Sequence, residues 1–537
     1  MFDLLILGPT VFDGSGGPSI VADVGVSDGK VAAIGRLAGE EASLTMPGTG
    51  LALAPGFLDF HSHSDTMLLV RPAALEKVSQ GVTAELIGHC GVAAAPLAVG
   101  TESAVRDYYA GVLGTEPPVW DWHSFEEYLQ KLEAARPALN VCTLAAHGCI
   151  RITAVGFAER RATQTELTNM AGLVRECMEA GAFGLSTDLR DAPGHMADVV
   201  ELAELCRPVA AAGGFFVAHI RNQSDLFLEA IEEILEVGRR TGVRLHLTHL
   251  KVAGPGNWPK MNQALEMIER ARSDGIAVTA DLYPYIAGSS MLSVLLPPWV
   301  AEGGVDAMAL RLTDSRVRAR VRQDFEQGLP GWENRFHSGV GWSSVYLVTV
   351  ASPERQWQQG LSIEEIAKRR GTGPLDAVMD ILVEERGHAS HLRFQGCEEN
   401  VEIVLRAPGV MVGSDSVFGG VPHPRLCGTF PRILGRYVRE RRTLSLSEAI
   451  HKMTSLPAQT LGLQNRGRVA EGNWADLVLF DPDRVADGAT FSDPLRRPVG
   501  IQSVVINGEV VYEQNTHLGA RPGVVLRHRA GPACGKR

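Results

Sequence analysis

From about residue 55 onward, short apolar runs alternate with segments of helical period such as Asp225-Leu226-Phe227-Leu228-Glu229-Ala230-Ile231-Glu232-Glu233-Ile234-Leu235, and this alternation leaves few folds open to the chain. Strands separated by helices imply a parallel sheet, because a parallel neighbour is reached only by a crossover. The candidate strands end near His63, Cys90, His147, Thr187, His219, His249, Tyr283 and Asp415, which makes eight, the number that closes a (β/α) barrel. The interval from 283 to 415 is too long for one helix, so an insertion near 284–400 is expected over the barrel mouth.

The two ends have a different texture. Leu4-Leu5-Ile6-Leu7, Val24-Gly25-Val26, Lys30-Val31-Ala32-Ala33-Ile34 and Leu51-Ala52-Leu53-Ala54 read as short strands, as do Ala475 to Phe480 and Val504 to Val511, the last with an Asn507-Gly508 hairpin signal. Neither end alone offers enough strands for a stable sheet, so the two are expected to build one small β domain together. The expected division is 1–54 and 467–520 for that domain, 55–466 for the barrel and 521–537 for a poorly anchored tail.

Composition narrows the partners. With 51 Lys and Arg against 62 Asp and Glu the net charge is −11, which argues against a nucleic-acid backbone as ligand. The uncharged stretch Leu282 to Ala301 has the length of a membrane span, but Pro284, Pro297 and Pro298 interrupt it, so no membrane partner is expected. The start lacks the basic and apolar regions of an export signal, and the eight cysteines (90, 142, 149, 177, 206, 397, 427, 534) have no paired spacing. Reduced thiols, a cytoplasmic location and a small-molecule substrate are therefore expected. Nothing in the sequence fixes the oligomeric state.

Polar residues of metal-ligand type recur at the strand ends, where barrel active sites are built. In Phe57-Leu58-Asp59-Phe60-His61-Ser62-His63, the histidines at i and i+2 face one side and can share an ion. Cys90, His219, His249 and Asp415 end four further strand candidates. Four imidazoles, a thiolate and a carboxylate form a borderline-soft set that suits Zn²⁺ better than Mg²⁺ or Ca²⁺.

These residues stand in APGFLDFHSHSD (54–65), GVTAELIGHCGV (81–92), GAFGLST (181–187), AHIRNQ (218–223), LTHLKVAG (247–254), DLYPYIAGS (281–289), VGSDS (412–416), HPRLCGTFPRIL (423–434) and GRVAEGNWADLVLFDP (467–482). On them the chain resembles the amidohydrolase superfamily and, within it, the D-aminoacylase (N-acyl-D-amino-acid deacylase) branch. The resemblance implies a (β/α)8 TIM-type barrel of the amidohydrolase type with a small β domain from both termini. It implies one tightly held zinc on Cys90, His219 and His249, and a second, weaker or absent ion on His61, His63 and Asp415, with Cys90 as a bridge. Asp415 would be general base and then general acid, and Lys251, Tyr283 and Arg425 would bind the substrate α-carboxylate. The activity implied is hydrolysis of N-acyl-D-amino acids.

Other features qualify that picture. After GAFGLST the branch usually continues with Gly and then an aromatic before Pro-Gly, whereas this chain has Asp188-Leu189-Arg190-Asp191-Ala192-Pro193-Gly194-His195. Relatives acting on acidic substrates place an Arg after the YPY segment, but Met291 to Trp299 carries no positive charge, so neutral side chains are the expected preference. His89 alternates with Cys90 and is expected to face the helix layer; His147 stays unassigned. Two rival readings are a cyclic-amide hydrolase of the dihydroorotase or hydantoinase type, which commonly uses a modified Lys on strand four, and an inactive scaffold barrel. Phe183 to Thr187 contains no Lys, and all six ligand candidates are retained.

Overall fold

Eight parallel strands form the barrel: β1 (Phe57–Asp59), β2 (Val82–Ile87), β3 (Asn140–Thr143, continued by Ala145–Ala146), β4 (Gly184–Asp188), β5 (Phe215–His219), β6 (Arg244–Leu247), β7 (Val278–Leu282) and β8 (Val410–Val412). This is a computed structural model, describing residues 1–117 and 119–529; Cys534 lies outside the described residues. Neighbours pair in register through Asp59↔Glu85, Asn140↔Ala84, Ala145↔Leu185, Asp188↔His219, Phe215↔Arg244, Leu245↔Val278 and Ala280↔Val410. The ring closes where Phe60 N–H donates to Val412 O (3.4 Å) and Ser62 bridges Ser416.

Strand alternation sorts the side chains. Leu58, Phe60, Ala84, Leu86, Cys142, Leu144, Phe183, Phe215, Val217 and Met411 fill the interior, while the intervening residues pack on the helices. The helix Phe227–Thr241 shows why this works: Phe227, Ala230, Ile231, Ile234, Leu235 and Gly238 recur at helical spacing on its buried face, and Gly242 ends it in a left-handed turn.

The insertion follows β7. It contributes an antiparallel sheet of Ala287–Met291, Ser390–Phe394 and Val345–Thr349, in that order, around its own core of Leu292, Leu295, Met308, Leu347, Ile381 and Leu382. The helix Glu398–Arg406 then returns the chain to β8.

At the ends the structure corrects two expectations. A seven-stranded sheet does combine Thr10–Val11, Ile20–Val21 and Ala52–Pro55 with Leu477–Phe480, Ile501–Ile506, Glu509–Glu513 and Thr516–His517. Yet the first residues also build a four-stranded sheet of their own, Lys30–Gly35, Asp23–Ser27, Phe2–Leu7 and Ala42–Pro47, because Ala42–Pro47 supplies a strand that no sequence pattern marks. Residues 521–529, expected to be a poorly anchored tail, are held against the barrel: Val525 bridges Val141, His528 N–H donates to Gly181 O (2.9 Å), and Arg527 pairs with Glu126 and Glu133. Among the described residues no helix is long and apolar enough to cross a membrane.

Candidate metal and active site

The six ligand candidates meet at the carboxyl end of the barrel. His219 ends β5, but Cys90, His249 and Asp415 lie just beyond their strands with left-handed φ of 53°, 35° and 49°. A non-glycine residue held there costs about 1–2 kcal/mol, and three of them at one point mark a backbone bent to aim side chains. Gly413 allows the approach of β8 to β1, since a Cβ on it would lie 2.5 Å from His61 Cβ.

The resulting distances lie at or just below those of a coordination shell. His249 Nε2 is 3.0 Å from His219 Nδ1 and 3.7 Å from Cys90 Sγ, which is 3.5 Å from His61 Nε2. Asp415 Oδ1 lies 3.4 Å from His61 Nε2 and 3.2 Å from His63 Nε2. Around one tetrahedral ion with bonds near 2.0–2.3 Å, ligand atoms stand about 3.3–3.7 Å apart. The donors fall into three groups, His61-His63-Cys90, Cys90-His219-His249 and His61-His249-Asp415, so Cys90 is shared by the first two.

The supporting hydrogen bonds fit a metal as well. Asp281, at the end of β7, faces His61 Nδ1 (3.2 Å) and His246 Nε2 (2.8 Å) and accepts from the His249 backbone N–H (2.7 Å). Burial raises its pKa, but His61 and His246 outweigh that and hold it at about 2. Such a carboxylate behind a histidine fixes the tautomer that leaves Nε2 bare for an ion. His249 Nδ1 lies 3.2 Å from Gln223 Nε2, while Gln223 Oε1 has no hydrogen-bond partner. Turning that amide over satisfies Oε1 with Nδ1–H and frees His249 Nε2. Burial, then Lys251 and His219, push His249 well below the ordinary imidazole range, so it is the neutral form a ligand requires. Burial would raise Asp415, but Arg425 and His61 outweigh it and keep the carboxylate ionised.

Lys251, Tyr283 and Arg425 gather around one ring. Lys251 Nζ lies 4.7 Å and Arg425 Cζ 4.4 Å from the Tyr283 centroid, and Lys251 donates to Tyr283 Oη. Arg425 is fully buried; its Nη1 is 2.9 Å from Asp415 Oδ2, and its Nε and Nη2 have no hydrogen-bond partner. Of the three, Lys251 lines the pocket itself, together with His63, Cys90, His219, His249 and Asp415.

Several expectations change here. His89 does not face the helix layer: β2 ends at Ile87, and the left-handed Gly88 and Cys90 break the alternation, so the His89 ring stacks inward on His61 at 4.0 Å. His147 opens a helix and bonds Thr187 Oγ1 (2.8 Å) and Glu201 Oε1 (2.9 Å), away from the ligand groups. Arg190 pairs with both Asp188 and Asp191, and Asp188 Oδ2 sits 3.5 Å from His219 Nδ1. Of Met291 to Trp299, only Met291 lines the pocket; Leu292, Leu295 and Leu296 pack inside the insertion. The absence of charge in that segment is therefore no guide to the pocket, whose wall from the insertion is Gly288, Ser289, Ser290, Met291, His391, Arg393 and Gln395. Sequence reasoning missed Asp281, Gln223 and Arg393. A signal for the first existed: Asp281 is an acidic residue at the carboxyl end of a largely apolar strand candidate, in the segment DLYPYIAGS.

An amidohydrolase family model matches residues 49–512. N-acyl-D-glutamate deacylase of Alcaligenes xylosoxydans xylosoxydans is 36% identical over 532 residues, covering 99% of this chain and 98% of that protein. D-aminoacylase of the same organism is 35% identical over 532 residues, 98% of each. The crystal structure of N-acyl-D-glutamate deacylase from Bordetella bronchiseptica, complexed with zinc and a phosphonate inhibitor that mimics the tetrahedral intermediate, superposes with a TM-score of 0.83 at 34% identity, covering 98% of this chain and 99% of that one.

Proposed function

The chain belongs to the amidohydrolase family, and from that premise we propose that it is a zinc-dependent deacylase that hydrolyses the amide bond of N-acyl-D-amino acids to a carboxylic acid and a free D-amino acid. The observation that carries the reading is the meeting of two sets: six ligand-type side chains, five of them lining one pocket with His61 just behind, and a Lys-Tyr-Arg cluster beside them. Cys90, His219 and His249 would hold the tight zinc; His61, His63 and Asp415, the carboxylate lying 3.4 and 3.2 Å from the two imidazoles, would hold a second, with Cys90 shared. When bound, zinc lowers the pKa of water and polarises the scissile carbonyl.

The remaining steps belong to this chain's own residues. Lys251, Tyr283 and Arg425 would supply donors and positive charge for the α-carboxylate, Arg425 from buried nitrogens Nε and Nη2 that no protein acceptor satisfies. That contact orients the amide over the floor. Ionised Asp415 takes the proton from the attacking water as the C–O bond forms, then delivers it to the amide nitrogen as the C–N bond breaks. The two histidines and Arg425 around Asp415 hold it ready for the first transfer. Retention of every ligand speaks against a scaffold barrel, and the lack of a strand-four lysine against a cyclic-amide hydrolase. The seven cysteines of the described residues are free thiols, which supports a cytoplasmic location.

The test is a hydrolysis screen of N-acetyl-D- and N-acetyl-L-amino acids with ring amides as controls. Hydrolysis confined to D substrates is expected; preference for L substrates or ring amides would overturn the reading.

A further inference from the structure

The wall that the insertion gives to the pocket has a face of its own. Ala287–Met291 and Ser390–Phe394 pair antiparallel, with Gly288 opposite Arg393 and Ser290 opposite His391. Opposed residues of such a pair project on the same side. One side of the sheet therefore reads Gly288, Ser290, His391 and Arg393, all lining the pocket; the other carries the apolar cluster of Ala287, Val348 and Leu392. Gln395 continues the polar side, its Oε1 accepting from Arg393 Nε at 3.0 Å. Arg393 is 1% exposed, so its guanidinium lies within the wall, and it is charged at every working pH.

Position gives this face a role. A Cβ on Gly288 would lie 3.0 Å from Tyr283 Oη, 3.1 Å from Gln395 Nε2 and 3.4 Å from Lys251 Nζ, so the wall begins where the cluster around Tyr283 ends. A substrate side chain leaves Cα one bond from the α-carboxylate carbon. With the carboxylate on Lys251, Tyr283 and Arg425, the side chain runs along Gly288 toward Gln395 and Arg393. The acyl group, carried on the opposite side of the scissile nitrogen, is left the remaining lining, whose apolar members are Val92, Val112, Met291 and Val417. The other arginine of the pocket, Arg190, reaches Ser290 Oγ at 3.4 Å but is paired with both Asp188 and Asp191, so its charge is already neutralised.

We propose that Arg393, supported by Gln395, reads a carboxylate on the substrate side chain, so that the preferred substrates are N-acyl derivatives of acidic D-amino acids. The inference rests on the deacylase reading above and replaces the expectation of neutral side chains. A planar guanidinium matches a carboxylate with parallel donors, and burial in the wall strengthens that contact over its exposed equivalent.

The experiment compares kcat/KM for N-acetyl-D-Glu, -D-Asp, -D-Gln, -D-Asn and -D-Met in the wild-type enzyme, Arg393→Met and Arg393→Lys. In the wild type an acidic substrate is expected to exceed its own amide and the Met derivative at least ~10-fold. Arg393→Met is expected to lower the acidic-to-Met ratio at least ~10²-fold, with Arg393→Lys in between. A wild-type ranking led by the Met derivative would overturn the proposal without any variant. A loss in Arg393→Met that is equal across substrates would overturn it too, and would assign Arg393 to the α-carboxylate or to the fold. Failure to hydrolyse any of the five would refute the deacylase reading instead.

Discussion

The floor and the insertion wall of the pocket are held in different ways. The floor is braced by the barrel itself: Asp281 ties His61, His246 and the His249 backbone together, and Asp59 accepts from Ser414 N–H (2.7 Å) and Lys77 Nζ (2.5 Å) beneath the β1–β8 seam. The wall hangs on one antiparallel sheet with a separate core. A substitution in the sheet can thus change what the pocket accepts without moving a candidate ligand, whereas a change in the floor falls among the candidate ligands themselves. Chemistry and selectivity are encoded in separate pieces of chain.

The largest effects should come from the floor. Cys90→Ala, His219→Ala and His249→Ala are each expected to abolish activity together with tightly bound zinc, because each takes a donor from the same proposed ion site. Stoichiometric zinc retained in all three by elemental analysis would break the distinction at once. Asp415→Asn is expected to keep the fold and the tight zinc but to lose at least ~10²-fold in kcat. A near-normal kcat would assign the proton to another group.

One step out from the ligands the effect should shrink. Asp281→Asn leaves the donors in place but weakens their orientation, for an expected ~10–100-fold drop in zinc affinity measured by chelator competition. An unchanged affinity would mean that the strands alone aim His61 and His249. On the wall, Gly288→Ala sets a methyl group 3.0–3.4 Å from Tyr283, Gln395 and Lys251, and is expected to raise KM by roughly 3–10-fold with zinc content unchanged. Loss of zinc in this variant would show that wall and floor are coupled.

The same contrast explains what is legible in the sequence. The floor is set by strand ends, and alternation plus ligand chemistry picks out His61, His63, Cys90, His219, His249 and Asp415 from the order of residues alone. Alternation fails where the backbone turns left-handed, which is why it sends His89 to the wrong side of the barrel wall. The wall depends on pairing Gly288 with Arg393 across more than a hundred residues, and no local pattern announces such a partner. Apolar residues from Leu292 onward look like a pocket lining in one dimension; in three they fill the insertion's own core. The end of the chain is misread for a related reason, since Val525 and Arg527 are anchored by residues near 126–141 rather than by neighbours in sequence.

The most direct test of the metal floor is to titrate zinc into chelator-stripped enzyme at several pH values while following hydrolysis of an N-acetyl-D-amino acid. Without metal, burial pushes the Cys90 thiol up; burial opposes charge on His61, but Asp281 and Asp415 outweigh it and raise that imidazole well above its ordinary value. Both groups therefore hold protons near neutrality that zinc must displace, so affinity should rise with pH, with protons released on binding. The account predicts activity that is absent in the stripped enzyme, returns in proportion to the first equivalent of zinc, and needs more zinc as pH falls from about 8 to about 6. Full activity in the stripped enzyme, or zinc affinity that does not change with pH, would contradict it.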